Sequence, residues 1–442
     1  MSTIPQVSQA MQTVLTTAAE QADTTLHYTK RPDRAKFSAS TLVQTLVFGW
    51  LAHPDATVEQ LSQSAARLGV EASPQAIDQR FTFATANLLQ TVLISSLHQA
   101  ISSDGVAIPI LQRFSGVRVH DGTTITLPNQ LCQQWPGCGG RSEAGTAAAL
   151  KCGVQFDLLT GTLTALDLVS GRTHDCALPC QQADLPAGSL RLADLGFYNL
   201  QRLAELDHAQ VYFLSKLRST ATITAPSLKR LDLASFVGQH ATNGYDGWVL
   251  IGTQGQLRAR LLIEPVPQEV ADQRRRRLRK EAREKGQSVS AAALFLAGWT
   301  ILITNVPPEL LTLTQALVLA RSRWQIELLF KLWKSHGQID CWRTEKPQRI
   351  LCEVYAKLLA MVLQHWVLLV GCWSYADRSL TKAAAVVRDH AGELASAQAR
   401  VERLSEVLES IQRVLKRTAR MNTRAKHPNT YQLLLALTTM DE

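Results

Sequence analysis

Between residues 115 and 215 the apolar pattern changes its period part-way along, and this restricts the chain to a mixed sheet with helices packed on it. Residues 117–127, 151–158 and 163–169 alternate like strands, with Gly161 at the turn between the last two. Residues 175–184 suit a short helix, 190–193 a buried strand, 199–206 a helix and 210–214 another strand. Three strands followed by helix and strand in alternation give an α/β arrangement. Two of the strands run into an acid. Val117-Arg118-Val119-His120 leads to Asp121, and Leu190-Arg191-Leu192-Ala193 leads to Asp194. Carboxyl ends of strands are where α/β sheets hold ligands.

The flanks are of another kind. Residues 1–105 read as helical, with Leu42, Leu46, Phe48 and Leu51 at helical spacing. Thr57 is the expected N-cap of a helix that stops at Gly69, and a second helix is expected from Ser73-Pro74. Helix, glycine turn, helix is the outline of a DNA-reading helix-turn-helix, although short helical hairpins also serve domains that touch no DNA.

Residues 216–304 interrupt the core with strand-like stretches at 222–224, 247–252, 256–263 and 294–304, and with the basic run Arg274 to Lys280. From Thr312 one long helix is expected to carry Arg323, Glu327 and Lys334 and to end near His336. The rest is helical, with a basic end at Lys416, Arg417, Arg420, Arg424 and Lys426. The linear division is a helical N-terminal DNA-binding domain (1–105), a first part of the core (106–215), a β-rich insertion (216–304), the glutamate helix of the core (305–345) and a helical dimerisation region (346–442).

Composition limits the function. A chain of 442 residues, 46% hydrophobic and 19% charged, is folded and long enough for several domains. A net charge of +9 favours a polyanionic partner. The eight cysteines form no CxxC pair and the start of the chain lacks a secretory pattern, so reduced thiols in the cytosol are expected. His174, Cys176 and Cys180 lack the second ligand pair of a zinc site. The longest apolar stretch, 358–372, is broken by Gln364-His365 and falls short of the roughly 20 residues of a membrane span. No membrane partner is expected.

Arg323, Glu327 and Lys334 stand at i, i+4 and i+11, which brings them to one face of a helix. Cations beside a carboxylate suit phosphate. Two strand-borne aspartates and a helix-borne glutamate make the oxygen cage that magnesium prefers. Each acid also has a plainer reading. Asp-Gly is first a turn, and Glu327 between Arg323 and Lys331 is a pair of surface ion pairs. Their coincidence in one inferred sheet domain favours the cage.

Asp121-Gly122-Thr123, Asp194-x-Gly196-Phe197 and Arg323-x3-Glu327-x6-Lys334 together resemble the DDE transposases of bacterial insertion sequences. Within them the likeness is to the insertion-sequence-four family, whose signature is Y-x2-R-x3-E-x6-K. The resemblance spans roughly residues 117–350. It implies a ribonuclease-H-like core interrupted by a β-strand insertion. It makes Asp121, Asp194 and Glu327 the catalytic metal ligands for two Mg2+ ions, with Mn2+ as a substitute. It makes Arg323 and Lys334 phosphate contacts near the transposon end.

Trp299 looks like the insertion tryptophan that stacks on an extruded base in members that form hairpins; the plainer reading is a core residue beside Ile301 and Ile303. Arg274, Arg275, Arg276 and Arg277 are candidate DNA contacts, with Lys216 and Arg218 as weaker ones. The signature tyrosine falls on Ala320, so its DNA-end contact has no counterpart here.

The implied function is cut-and-paste transposition of double-stranded DNA in the bacterial cytoplasm, in association with the nucleoid. The implied assembly is a homodimer in the synaptic complex, joined through the C-terminal helices. The rivals are a nuclease or resolvase on the same core, and a DNA-binding remnant without catalysis.

Overall fold

The computed structural model describes residues 3–30, 35–138, 147–224, 229–254, 257–422 and 428–437. Arg424, Lys426 and Gln256, which figure in the expectations above, lie outside the described residues. The chain gathers into two compact units, each assembled from three stretches. The sheet unit takes Pro109–Asp121, His174–Trp324 and Thr430–Glu442; the helical unit takes Met1–Ile108, Gly122–Thr173 and Gln325–Asn429. In chain order the strands are β1 (Val117–Leu127), β2 (Ala148–Asp157), β3 (Leu163–Ser170), β4 (Leu190–Ala193), β5 (Tyr212–Lys216), β6 (Thr222–Thr224), β7 (Arg230–Asp232), β8 (Tyr245–Ile251), β9 (Leu257–Pro265) and β10 (Trp299–Thr304).

The strands of the sheet unit follow the order β1-β4-β5-β10-β9-β8-β6-β7. β1, β4 and β5 are parallel, and β10 runs antiparallel to both β5 and β9. All four residues of β4 are buried, as befits a parallel strand covered on both faces. Joining β4 to its parallel neighbour β5 needs a crossover, supplied by the helix Leu200–His208 with Asn199 as its N-cap. The stretch 216–304 continues this same sheet: Ile303 of β10 lies opposite Ser215 of β5 and Leu261 of β9. Phe213, Ile223, Phe236, Val249, Ile263 and Ile303 share one core, each contributing about 1.5–3 kcal/mol relative to exposure.

Three local expectations give way here. Residues 294–298 are not strand, because Ser290 caps a helix Ala291–Leu296 and β10 begins only at Trp299. Residues 175–184 form two separate 3-10 turns, Asp175–Ala177 and Pro179–Gln181, since Pro179 donates no backbone hydrogen bond. The long helix from Thr312 is two helices, Leu313–Arg321 and Trp324–Ser335. At the break the Ser322 backbone N–H and its hydroxyl (2.6 Å) both donate to the Leu319 carbonyl, which tightens the turn. Arg323 therefore stands between helices rather than within one.

The helical unit is organised around the 25-residue helix Pro347–Gly371. That helix is long and apolar enough to cross a membrane, contrary to the sequence reading, but its apolar window is wholly buried in the protein. It packs against the helices Ala39–Ala52, Phe83–Ser96 and Val401–Thr418. Three of the polar residues inside it have partners: His365 Nε2 is 2.6 Å from the Gly161 carbonyl, and Glu353 pairs with Lys357. The expected cap at Thr57 is a full capping box with Gln60, and Gly69 takes a φ of 77°. The helix from Ser73 lasts only five residues, Pro74–Asp78, before Thr82 caps the next one, so a helix-turn-helix would have a very short second helix.

Gly161 closes the β2–β3 hairpin at a φ of 75°, and an added Cβ would lie 2.4 Å from Leu369 Cδ2 and 2.6 Å from Trp373 Cδ2. Gly161→Ala is expected to destabilise the helical unit by roughly 2–4 kcal/mol, through left-handed strain plus overpacking. Denaturant melts of the two proteins test this, and coincident curves would refute it.

Candidate active site

Parallel pairing sets the first two acids level. Val119 lies opposite Leu192, and the same register carries Asp121 to the height of Asp194. One step beyond the Ala193–Ser215 pair, β5 brings Lys216 alongside. Asp121 lies within its strand rather than at the end that the run 117–120 suggests in the sequence. β1 continues to Leu127, and Asp121-Gly122 is extended backbone rather than a turn. Asp194 does follow the last residue of β4 and opens the 3-10 turn Leu195–Phe197.

Arg323 lies across the two acids. Its Nη1 donates to Asp121 Oδ2 at 3.3 Å, and its Nη2 is 3.8 Å from Asp194 Oδ2. Lys216 Nζ stands 3.0 Å from Asp194 Oδ1 in an ion pair without hydrogen-bond geometry. Burial alone would raise the Asp194 carboxyl, but the Leu195 N–H and the charges of Lys216 and Arg323 outweigh it and hold the group below its ordinary value. The sign follows: its ion pairs stabilise the fold above the unfolded carboxyl value of about 4, and that contribution fades as pH falls through the lower folded value.

Beneath the acids, on the opposite face of the strands, a buried network ties β1 to β4. Gln181 Nε2 lies 3.1 Å from His120 Nδ1, and Gln181 Oε1 accepts from Arg191. Burial first, then the charges of Arg191, Arg118 and Arg202, push the His120 ring well below its usual value. His120 is therefore neutral near neutral pH.

The remaining candidates separate by direction. Arg218 donates to the Tyr198 carbonyl and lies over that ring at 5.3 Å. Arg274 donates to the Trp299 carbonyl (2.8 Å) and Thr300 Oγ1, while Arg275 donates to Leu294 and Asp272. Both brace neighbouring elements from the helix Gln268–Glu284. Arg276 and Arg277 face solvent, Arg277 paired to Glu281 at 2.7 Å. Trp299 is half-buried and walls a cleft of 320 Å³ with Lys216, Leu217, Arg274, Thr300 and Leu302. Ala320, where the signature has tyrosine, borders a 30 Å³ gap against Arg323, Ser215 and Leu302.

One residue escaped the sequence reading. Trp324, directly after Arg323, is 54% exposed. Its only signal in the sequence is an aromatic next to the motif arginine, and the helix start at Trp324 emerges only in the fold.

In the helical unit, Glu327 is partly buried on the helix Trp324–Ser335, and Lys334 lies two turns further along the same face. Lys334 Nζ donates to the Thr124 carbonyl at 2.9 Å and is 3.8 Å from Asp340 Oδ2. Among the described residues, no group of three or more His, Cys, Asp or Glu side chains is gathered to hold a metal ion. This includes His174, Cys176 and Cys180, and all eight cysteines are free. The donors at Asp121 and Asp194 nevertheless suit a hard divalent cation: they are carboxylate oxygens, and they already share one positive charge through Arg323.

Residues 112–363 match the family model described as the transposase DDE domain, which covers more than half of the chain. The chain belongs to the DDE transposase family. It is therefore a DNA transposase, an enzyme of DNA cleavage and strand transfer, with the ribonuclease-H-like fold and the divalent-metal use of that family. It is 27% identical over 354 residues to the transposase for insertion sequence element IS231F of Bacillus thuringiensis subsp. israelensis, covering 75% of this chain and 73% of that one. The transposase for IS1151 of Clostridium perfringens is 27% identical over 347 residues, 72% of each chain. The putative transposase InsL for IS186A of Escherichia coli K12 is 28% identical over 257 residues, 56% of this chain and 64% of that one.

Proposed function

We propose that Asp121, Asp194 and Glu327 are the catalytic carboxylates of a cut-and-paste transposase that frees both ends of an insertion sequence and joins them to target DNA. The observation that carries this reading is Arg323 shared between Asp121 and Asp194 on adjoining parallel strands. Two carboxylates held this close repel each other unless a cation lies between them. Two Mg2+ ions, with Mn2+ as a substitute, would supply activation of the attacking oxygen and stabilisation of the leaving one.

The chain's own groups do the rest. The His120–Gln181–Arg191 network fixes the strands that carry the two aspartates. Arg323 neutralises those aspartates in the free protein and turns to a backbone phosphate when DNA is loaded. Lys334 holds a second phosphate near the cut. Lys216 and the solvent-facing Arg276 and Arg277 meet DNA further out, whereas Arg274, Arg275 and Arg218 act by holding Trp299, its neighbours and Tyr198 in place. Trp299 takes a base extruded from the end. Synapsis of two ends calls for a homodimer, and the site of action is the bacterial cytoplasm, at the nucleoid.

Strand transfer with pre-cut ends tests the reading. Joining of the 3′ hydroxyl to a target plasmid, dependent on Mg2+ and lost in Glu327→Gln, is the expected result. Hydrolysis without joining would favour a nuclease or resolvase, and neither reaction would favour a remnant.

Trp324 adds a narrower expectation. An exposed indole beside Arg323 offers a stacking face worth about 1–3 kcal/mol per base. Trp324→Ala should weaken end binding by about tenfold with an unchanged melting curve. Anisotropy titration with a labelled end measures it, and equal affinity would remove Trp324 from the DNA path.

A further inference from the structure

The helical unit contains a charged pair that the proposed chemistry leaves unused. Glu353 and Lys357 sit one turn apart on the helix Pro347–Gly371, with Oε1 and Nζ 3.1 Å apart and side chains 4% and 2% exposed. Every residue of that helix from Ile350 to Gly371 is buried. Burying two charges is costly, and apolar residues of equal volume commonly serve stability as well or better. What an apolar pair lacks is hydrogen-bond donors.

Lys357 Nζ donates to the Gln338 carbonyl at 3.1 Å and to the Cys341 carbonyl at 2.8 Å. Both belong to the turn that leaves the helix Trp324–Ser335. The turn has little slack. Gln338 takes a φ of 46°, which side chains rarely adopt, and a Cβ on Gly337 would lie 2.4 Å from Met361 Sδ and 2.6 Å from the Trp333 carbonyl. It also carries Asp340, whose Oδ2 is 3.8 Å from Lys334 Nζ. Lys334 has a flexible four-carbon stem, and its ammonium is held between Asp340 and the Thr124 carbonyl. One of those two anchors rides on the turn that Lys357 fixes.

We infer that Lys357, buried beside Glu353, is a positioning residue for Lys334: it locks the turn at 337–341 so that Asp340 and the Thr124 carbonyl present the Lys334 ammonium to a DNA phosphate. The inference rests on the reading of Lys334 as a phosphate contact. Lys357 itself touches no DNA. Its effect is to keep Lys334 from exchanging among rotamers that would each lose the phosphate.

The test uses the full chain and a duplex cut from the inverted repeats that border its coding sequence, titrated across salt concentrations. The volume-matched double variant Glu353→Leu/Lys357→Met should fold and melt close to the parent, yet show a salt slope for end binding shallower by about one, the signature of one lost phosphate contact. Lys334→Ala should give the same change, and adding it to the double variant should cost nothing more. A folded double variant with the parental slope overturns the inference. If Lys334→Ala itself leaves the slope unchanged, the phosphate reading of Lys334 fails and takes the positioning role with it. If Lys334→Ala lowers the slope and the double variant does not, only the positioning role fails.

Should the double variant not fold, Asp340→Asn asks the same question from the exposed side of the turn. Removing an acid near DNA should tighten binding by charge alone. Loss of a Lys334 anchor should weaken it. Tighter binding would overturn the inference, and weaker binding would uphold it.

Discussion

Asp194→Asn is expected to eliminate DNA cleavage and joining, with a fall of more than about 100-fold in both, while the protein still folds and binds DNA ends. Changes one shell removed from a metal typically cost about 10- to 100-fold, so loss of a residue proposed as a direct ligand should cost more. The amide keeps the size of the carboxylate but loses the charge that Lys216 and Arg323 neutralise. Side-chain exposure of 37% makes collapse of the fold an unsuitable explanation for the loss. Affinity for DNA should hold or rise, since a negative charge near the phosphates is gone. Gel assays of end cleavage, run beside anisotropy titrations, separate the two effects. Cleavage at the parental rate would remove Asp194 from the mechanism.

The second large effect concerns stability. Lys357→Met alone, with Glu353 left in place, should cost about 3–5 kcal/mol, because it leaves a buried carboxylate without its cation. The pH dependence has a definite sign. Burial already raises the Glu353 carboxyl despite Lys357, and loss of that lysine raises it further. A carboxyl raised in the folded state contributes stability that is full below its unfolded value of about 4 and is lost as pH rises through the folded value, so the variant should lose more stability at about pH 8 than at about pH 4. Thermal melts at the two pH values measure this. An unchanged melting temperature at both would show that the pair carries no weight in the core.

Legibility followed the range of the forces involved. β1 and β4 have the bounds that the sequence suggests, because alternation and a short apolar run ended by Asp194 are local signals. Asp121-Gly122 misled because the pair favours a turn locally, whereas strand pairing extends it. The break at Ser322 was hidden by helical periodicity on both sides, since a hydroxyl bonding back to Leu319 leaves no mark on the pattern. The inward aim of Arg274 and Arg275 depends on acceptors at Trp299 and Leu294, about 20 residues or more away. The core helix was read as too short because Gln364-His365 interrupt its apolar run, and only the distant Gly161 carbonyl against His365 shows that this stretch is interior.

The three-stretch construction of each unit has a consequence for biosynthesis. The helices Ala39–Ala52 and Phe83–Ser96 have a large part of their packing against a helix that begins at Pro347, so the first third of the polypeptide emerges from the ribosome before its central packing partner is made. Neither unit is complete until most of the message has been translated. Truncated products would expose those helices to aggregation or proteolysis, leaving full-length molecules as the ones that persist.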